Sequence, residues 1–86
     1  MPTISRFYGI LIQMFWKDHS PPHFHALYAE HEARVDIRTL EIIEGSLPNR
    51  ALALVLEWAI RHREELKRNW ELCEAKQPPN KISPLE

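Results

Sequence analysis

The hydrophobic positions of this chain change period at Gly45, which divides it into a β half and a helical half. From Phe7 to Trp16 the run Phe-Tyr-Gly-Ile-Leu-Ile-Gln-Met-Phe-Trp is rich in aromatic and β-branched residues, which favours a strand over a helix of the same length. Ile10, Ile12, Met14 and Trp16 share one of its faces, and Leu11, Gln13 and Phe15 the other. Because both faces are largely apolar, this strand is expected at the centre of a sheet or against a partner. A turn follows over Lys17 to Pro22, where Asp18 and Ser20 bond readily to nearby backbone and two prolines cannot join a central ladder. His23 to Ala29 alternates again, with Phe24, Ala26 and Tyr28 suited to a core and His23, His25 and Leu27 on the outward face. After a bend at Glu30 to Glu32, Ala33, Val35 and Ile37 alternate with Arg34, Asp36 and Arg38 in the pattern of a half-buried strand. Leu40 to Glu44 forms a further short strand that pairs back through a tight turn at Arg38 to Glu41.

Beyond Gly45 the period becomes helical. Ser46 is placed to cap a helix and Pro48 to sit in its first turn, where a missing N–H costs nothing. Ala51, Leu52, Val55, Leu56, Ala59, Leu66, Trp70 and Cys73 recur mostly at spacings of three and four, with no Gly or Pro between Asn49 and Lys76. This predicts one long helix, or two helices with a bend near Arg61 to Arg63. Glu64 faces Arg68, and Arg61 faces Glu64 and Glu65, as on a solvated helix face. Met1 to Arg6 is a short polar lead in which Pro2 opposes an early helix. Gln77 to Glu86 carries three prolines and is expected to be extended, with Ile82 and Leu85 available to dock on the body or on a second chain. The order predicts an α+β fold in a single domain, residues 1–86 with an extended tail at 77–86. A small antiparallel sheet of three to four strands is followed by a long, bent C-terminal helix or two helices packed on one face.

Composition narrows the class. A chain of 86 residues buries only about 60 to 65 per cent of its unfolded surface, so each large apolar residue counts. Hydrophobic residues at 44% and charged residues at 27% describe a globular chain and not a disordered one. The formal net charge of −1 gives no overall support to an RNA or DNA binder. Cys73 is the single cysteine and has no intramolecular partner, and the N-terminus lacks a secretory pattern, so the cytoplasm is the expected location. No apolar run approaches the roughly 20 residues that cross a bilayer, and no membrane partner is expected.

Candidate chemistry concentrates in Asp18 to Tyr28, Asp-His-Ser-Pro-Pro-His-Phe-His-Ala-Leu-Tyr. A His-x-His pair on a strand turns two imidazoles the same way with Cα atoms about 7 Å apart, a spacing that chelates zinc or a similar ion once a third ligand arrives. Asp18, His19 or His31 could supply it; the metal set is His23, His25 and Asp18. The catalytic alternative is His23, His25 and His19 as general acid and base on a phosphodiester, with Arg34 or Arg38 stabilising the developing charge. No cofactor is required by that reading, and zinc or another divalent metal belongs to the first. The bland reading is a turn-to-strand corner shaped by Pro21 and Pro22, hydrogen-bonded by the histidines and anchored by Phe24 and Tyr28. Arg34 and Arg38, with Tyr28, form a candidate binding set, and Lys17 and Arg6 would extend it into a basic strip for phosphate. Asp36 and Glu32 on the same strand favour a cross-strand ion-pair ladder instead. Trp58, Trp70 and Cys73 read as core.

Four segments in order carry a resemblance: Met-Pro-Thr-Ile-Ser-Arg-Phe-Tyr-Gly-Ile at the start, the Asp18 to Tyr28 motif, Glu-Gly-Ser-Leu-Pro-Asn-Arg-Ala-Leu from Glu44, and Glu-Trp-Ala, His-Arg-Glu-Glu-Leu and Asn-Trp along the helical half. Together they resemble the prokaryotic family catalogued as domain of unknown function 4160, whose signature is Pro-His-Phe-His, here Pro22 to His25. The resemblance implies a component of a small two-gene module of toxin–antitoxin type. The partner would be a protein from a neighbouring gene or a second copy of the chain. One departure from the family pattern is Leu40, where relatives tend to carry a glycine in the turn after the third strand. The leading expectation is a cytoplasmic interaction protein. Its alternative is a histidine-dependent ribonuclease or a metal-dependent phosphoesterase.

Overall fold

One turn, at Tyr8-Gly9, splits the β half more finely than its hydrophobic runs suggest. The computed structural model describes residues 3–16 and 18–86. Along them the order is β1 (Thr3–Phe7), β2 (Ile10–Gln13), β3 (His23–Tyr28), β4 (His31–Asp36), β5 (Ile42–Gly45), α1 (Asn49–Arg61) and α2 (Arg63–Glu74). The strands form one antiparallel five-stranded meander in the order β1-β2-β3-β4-β5. The α+β class and two C-terminal helices agree with the sequence pattern, whereas five strands replace the expected three to four. Among the described residues no helix is long and apolar enough to cross a membrane.

The additional strand comes from the start of the chain. Phe7 to Trp16 is not one strand: it turns at Tyr8-Gly9, where φ is +49° and +79°, and Phe7 pairs with Ile10 across the turn. Two successive left-handed residues match the right-handed twist of the flanking strands, and Gly9 adopts that conformation without steric cost. The next hairpin turns at Ala29-Glu30, one residue earlier than Glu30 to Glu32, with Tyr28 opposite His31. The expected turn near Leu40 does form. Leu40 takes φ +62° and donates its N–H to the Asp36 carbonyl at 2.7 Å, and β5 pairs back on β4. At Gly45, φ is +82°, and a Cβ would lie 2.1 Å from the Glu32 carbonyl oxygen. Only glycine lets β5 approach β4 so closely.

Alternation then decides the core. Phe24, Ala26, Val35 and Ile37 are buried on one face of the sheet, as expected, and the undecided first run joins them through Ile10 and Ile12. Trp16 leaves that face because β2 has ended at Gln13, and it is half exposed. The helices cover this face, with Trp58 of α1 fully buried between Phe7 at 5.4 Å and Phe24 at 5.8 Å, ring centroid to centroid. Truncating an aromatic residue at such a site costs about 3–5 kcal/mol. Ser46 does not cap α1: Pro48 occupies the cap, and the Ser46 N–H is drawn to the Glu32 carbonyl at 3.1 Å by the entry of the chain from β5. The helical half breaks at His62, between the two bounds predicted for a bend. Arg61 reaches back to Glu57 at 3.0 Å and Lys67 pairs with Glu64 at 3.6 Å, in place of the pairings read from spacing alone.

The tail is extended and docked. Ile82 donates its N–H to the Ile4 carbonyl at 2.8 Å, and Ile82 and Leu85 are buried. Asn69 of α2, itself buried, exchanges two hydrogen bonds with the backbone of Asn80 at 2.8 and 2.9 Å. The Trp58 indole donates to the Ser83 carbonyl at 2.8 Å.

Candidate functional site

The connection from β2 to β3 carries Phe15 and Asp18 against the start of β3, and this covers the strand residues expected to face outward. His23 and His25 open β3 and are only 3% and 5% exposed. The correction has a physical cause: Phe15, just past β2, sets its ring edge-on to His25 at 4.6 Å, and Trp70 of α2 approaches His23 to 5.2 Å. The two imidazoles stand 5.1 Å apart, centroid to centroid. Asp18 lies in the same connection and is the third member of the group.

All three side chains converge on one point. The Asp18 Oδ2 is 2.9 Å from His25 Nε2 and 3.2 Å from His23 Nε2. Each of the three residues offers one ligand-type atom, all within 4.8 Å of one another. The far side of each ring is also engaged. His23 Nδ1 lies 2.7 Å from the Pro21 carbonyl oxygen, which can only accept, so Nδ1 carries the proton and donates it. In neutral His23 the lone pair is therefore on Nε2, turned toward a carboxylate; that atom is buried and makes no hydrogen bond, despite the short separation from Asp18. His25 Nδ1 faces Glu32 Oε2 of β4 at 3.4 Å. An acceptor behind Nδ1 with Nε2 turned inward is the arrangement that fixes imidazole orientation at metal and acid–base centres.

The other residues named from sequence sit elsewhere. His19 is exposed and outside the group. His31 opens β4, where it faces Glu30 at 3.7 Å. Arg34 lies opposite His25 on β4 but pairs with Glu44 of β5 at 3.1 Å, and Arg38 pairs with Asp36 at 3.2 Å. These contacts are ladder and turn contacts, as the charge pattern favoured over a basic strip. Lys17 and Pro2 lie outside the described residues. Tyr28 lines a separate open groove of about 430 Å³ with Tyr8, Ile10, Pro48, Arg50 and Leu54.

Three neighbours of the group had no clear signature in the chain pattern: Glu32, Phe15 and Trp70. Cys73 belongs to the same end of the molecule. Burial pushes its thiol above the ordinary cysteine range, and the negative charge of Asp18 adds to the shift. The thiol is consequently protonated and unreactive at neutral pH, in keeping with a core assignment.

Comparison with known proteins identifies a family. The model described as Domain of unknown function (DUF4160) matches residues 9–71, a stretch that contains the whole Asp18–His23–His25 group. No curated protein and no solved structure matches the chain.

Proposed function

The chain belongs to the DUF4160 family, and we propose that it acts in a prokaryotic two-gene module of toxin–antitoxin type as the component that cleaves phosphodiester bonds, in the cytoplasm. The observation that carries this reading is the convergence of two buried imidazoles on the Asp18 carboxylate. A corner held only by hydrogen bonds would leave the His23 Nε2 with a donor, whereas here it faces an acceptor and is unpaired. Substrate phosphate has no free cation in Arg34 or Arg38, which are engaged by Glu44 and Asp36. Charge that develops on the phosphate is therefore neutralised at the centre itself or by the partner.

A second reading keeps the module but makes the chain a binding component, through self-association or a protein from the neighbouring gene. It is favoured by Tyr8 and Trp16, which are 59% and 50% exposed and flank the two ends of β2. Such aromatics are more common in interfaces than on solvated surfaces.

One experiment separates the readings. RNA is incubated with wild-type protein and with Asp18→Asn and His25→Ala variants, and circular dichroism checks the fold of each. The enzymatic reading expects cleavage that falls by at least about a hundredfold in folded variants. Absence of cleavage by wild type, together with stoichiometric co-purification with the neighbouring gene product, would establish the binding reading.

A further inference from the structure

We propose that Asp18, His23 and His25 form a binding site for a first-row divalent cation of the zinc class, with coordination positions left for water. The inference deepens the phosphodiester-cleaving reading by naming the cofactor of the same centre, but metal binding is measured without reference to cleavage.

Three independent features converge. The donor set of two imidazole nitrogens and one carboxylate oxygen matches the three protein ligands that hold catalytic zinc and leave a position open, and it is also the set that holds non-haem iron(II). Two of the three separations already fit: a tetrahedral ion with ligands at about 2.0–2.1 Å spaces them about 3.3 Å apart, Asp18 Oδ2 lies 3.2 and 2.9 Å from His23 and His25 Nε2, and all three ligand atoms fall within 4.8 Å of one another. Both rings have an acceptor behind Nδ1, the Pro21 carbonyl for His23 and the Glu32 carboxylate for His25. For His23 that second layer directs the Nε2 lone pair inward and raises the basicity of the ring as a ligand. His25 Nε2 makes the shorter of its ring's two carboxylate bonds with Asp18, at 2.9 Å against 3.4 Å from Nδ1 to Glu32, and releases its proton when a cation binds.

The decisive feature is His23. Its Nε2 is buried, has no hydrogen-bond partner and faces a carboxylate oxygen at 3.2 Å. Two electron-rich atoms held together in this way repel unless a cation stands between them, and a buried polar atom left unpaired is costly. A proton on Nε2 would be the competing cation, making His23 and Asp18 an ion pair. A metal satisfies His23 and His25 together and gives the water beside it a lowered pKa, which supplies a nucleophile for phosphodiester cleavage. It also supplies the positive charge that Arg34 and Arg38 do not offer.

The test uses the untagged full-length chain, so that no added histidines compete. Metal content is measured after purification. The metal-stripped protein is then titrated with zinc, with cobalt(II) as an optical probe and with iron(II) under anaerobic conditions. The expected result is one equivalent of zinc or iron, an intense visible band for four- or five-coordinate cobalt(II), and a thermal midpoint raised by roughly 10–20 °C at a hundredfold excess over Kd. Asp18→Asn should abolish the cobalt band, Glu32→Gln should weaken affinity by about 10- to 100-fold, and His31→Gln should leave both unchanged. A folded wild-type protein with no stoichiometric metal, no cobalt band and equal midpoints with and without zinc would overturn the proposal in favour of the His23–Asp18 ion pair. Saturable binding without RNA cleavage would instead uphold the site and sink only the reading of the reaction.

Discussion

Asp36 is a buried carboxylate that holds a turn its neighbours do not favour. Its Oδ1 accepts the backbone N–H groups of Arg38 at 2.7 Å and Thr39 at 3.3 Å, and its Oδ2 meets the Arg38 guanidinium at 3.2 Å. Burial alone would push its pKa up, but the Arg38 side-chain bond, the two backbone bonds and the guanidinium charge together hold it below the ordinary aspartate value. The contacts tie down the bend in which Leu40 adopts φ +62°, a conformation that costs an L-residue roughly 1–2 kcal/mol. A lowered folded-state pKa means that the unfolded chain takes up the proton first as pH falls. The stabilisation from Asp36 is therefore complete above about pH 4 and is lost as pH drops through the folded-state value. Asp36→Asn should lower stability at pH 7 by about 1–3 kcal/mol and flatten the loss of stability of the wild type below about pH 4. Urea melts of both proteins between pH 7 and pH 2 measure this, and parallel acid limbs would contradict it. Leu40 alone gave no reason to expect a hairpin; the side chain that makes one sits four residues earlier.

The turns are also where the sequence was least legible at the level of elements. Alternation identified the core faces of β3 and β4 because period two is set by backbone geometry, whereas the helical repeat fitted one long helix as well as two with a bend near Arg61 to Arg63, and the structure takes the second. The boundaries were harder. Gly9 was the one local sign that Phe7 to Trp16 folds into two strands, and a lone glycine within an apolar run also fits a bulge. Ala29-Glu30 carries no turn signature, yet Ala29 sits at φ +52° and is exposed. Nothing packs on its methyl group strongly enough to offset the strain, so Ala29→Gly should stabilise the protein by about 1 kcal/mol. That corresponds to a thermal midpoint higher by roughly 4–8 °C. Ala29→Val, which adds a branched Cβ to the same left-handed position, should move the midpoint the other way. A scanning-calorimetry comparison of the three proteins checks both signs, and a lower midpoint for the glycine variant would show that the turn is not under strain. The site had the same limit: the His-x-His spacing was visible in the chain, but Asp18 could be chosen over His19 and His31 only once the loop path was known.

At the scale of the whole molecule the polar C-terminal segment acts as a structural strap. The β1 edge offers unpaired backbone groups to any other strand, and the tail covers part of it through the Ile82 N–H to Ile4 carbonyl bond and the Lys81 ammonium, which donates to the Thr3 carbonyl at 2.9 Å. It also buries Ile82 and Leu85 in the same cluster as Trp58. Prolines suit this role because an extended segment already restricted in φ loses less entropy on docking than a flexible one. What fastens it to the helices is Asn69, a residue that an amphipathic-helix pattern marks only as polar. Its carboxamide satisfies both the N–H and the carbonyl of Asn80 while almost fully buried itself. Asn69→Ala should leave two backbone groups without partners and cost about 1–3 kcal/mol. Since Asp18 lies in the β2–β3 connection and His23 and His25 lie on β3, the loss should fall on the tail first. Limited proteolysis should cleave the variant between Gln77 and Glu86 well before the wild type, and hydrogen exchange at the Ile82 amide should accelerate while the β3 amides keep their protection. Equal acceleration at β3 and Ile82 would show that the strap and the sheet unfold as one unit.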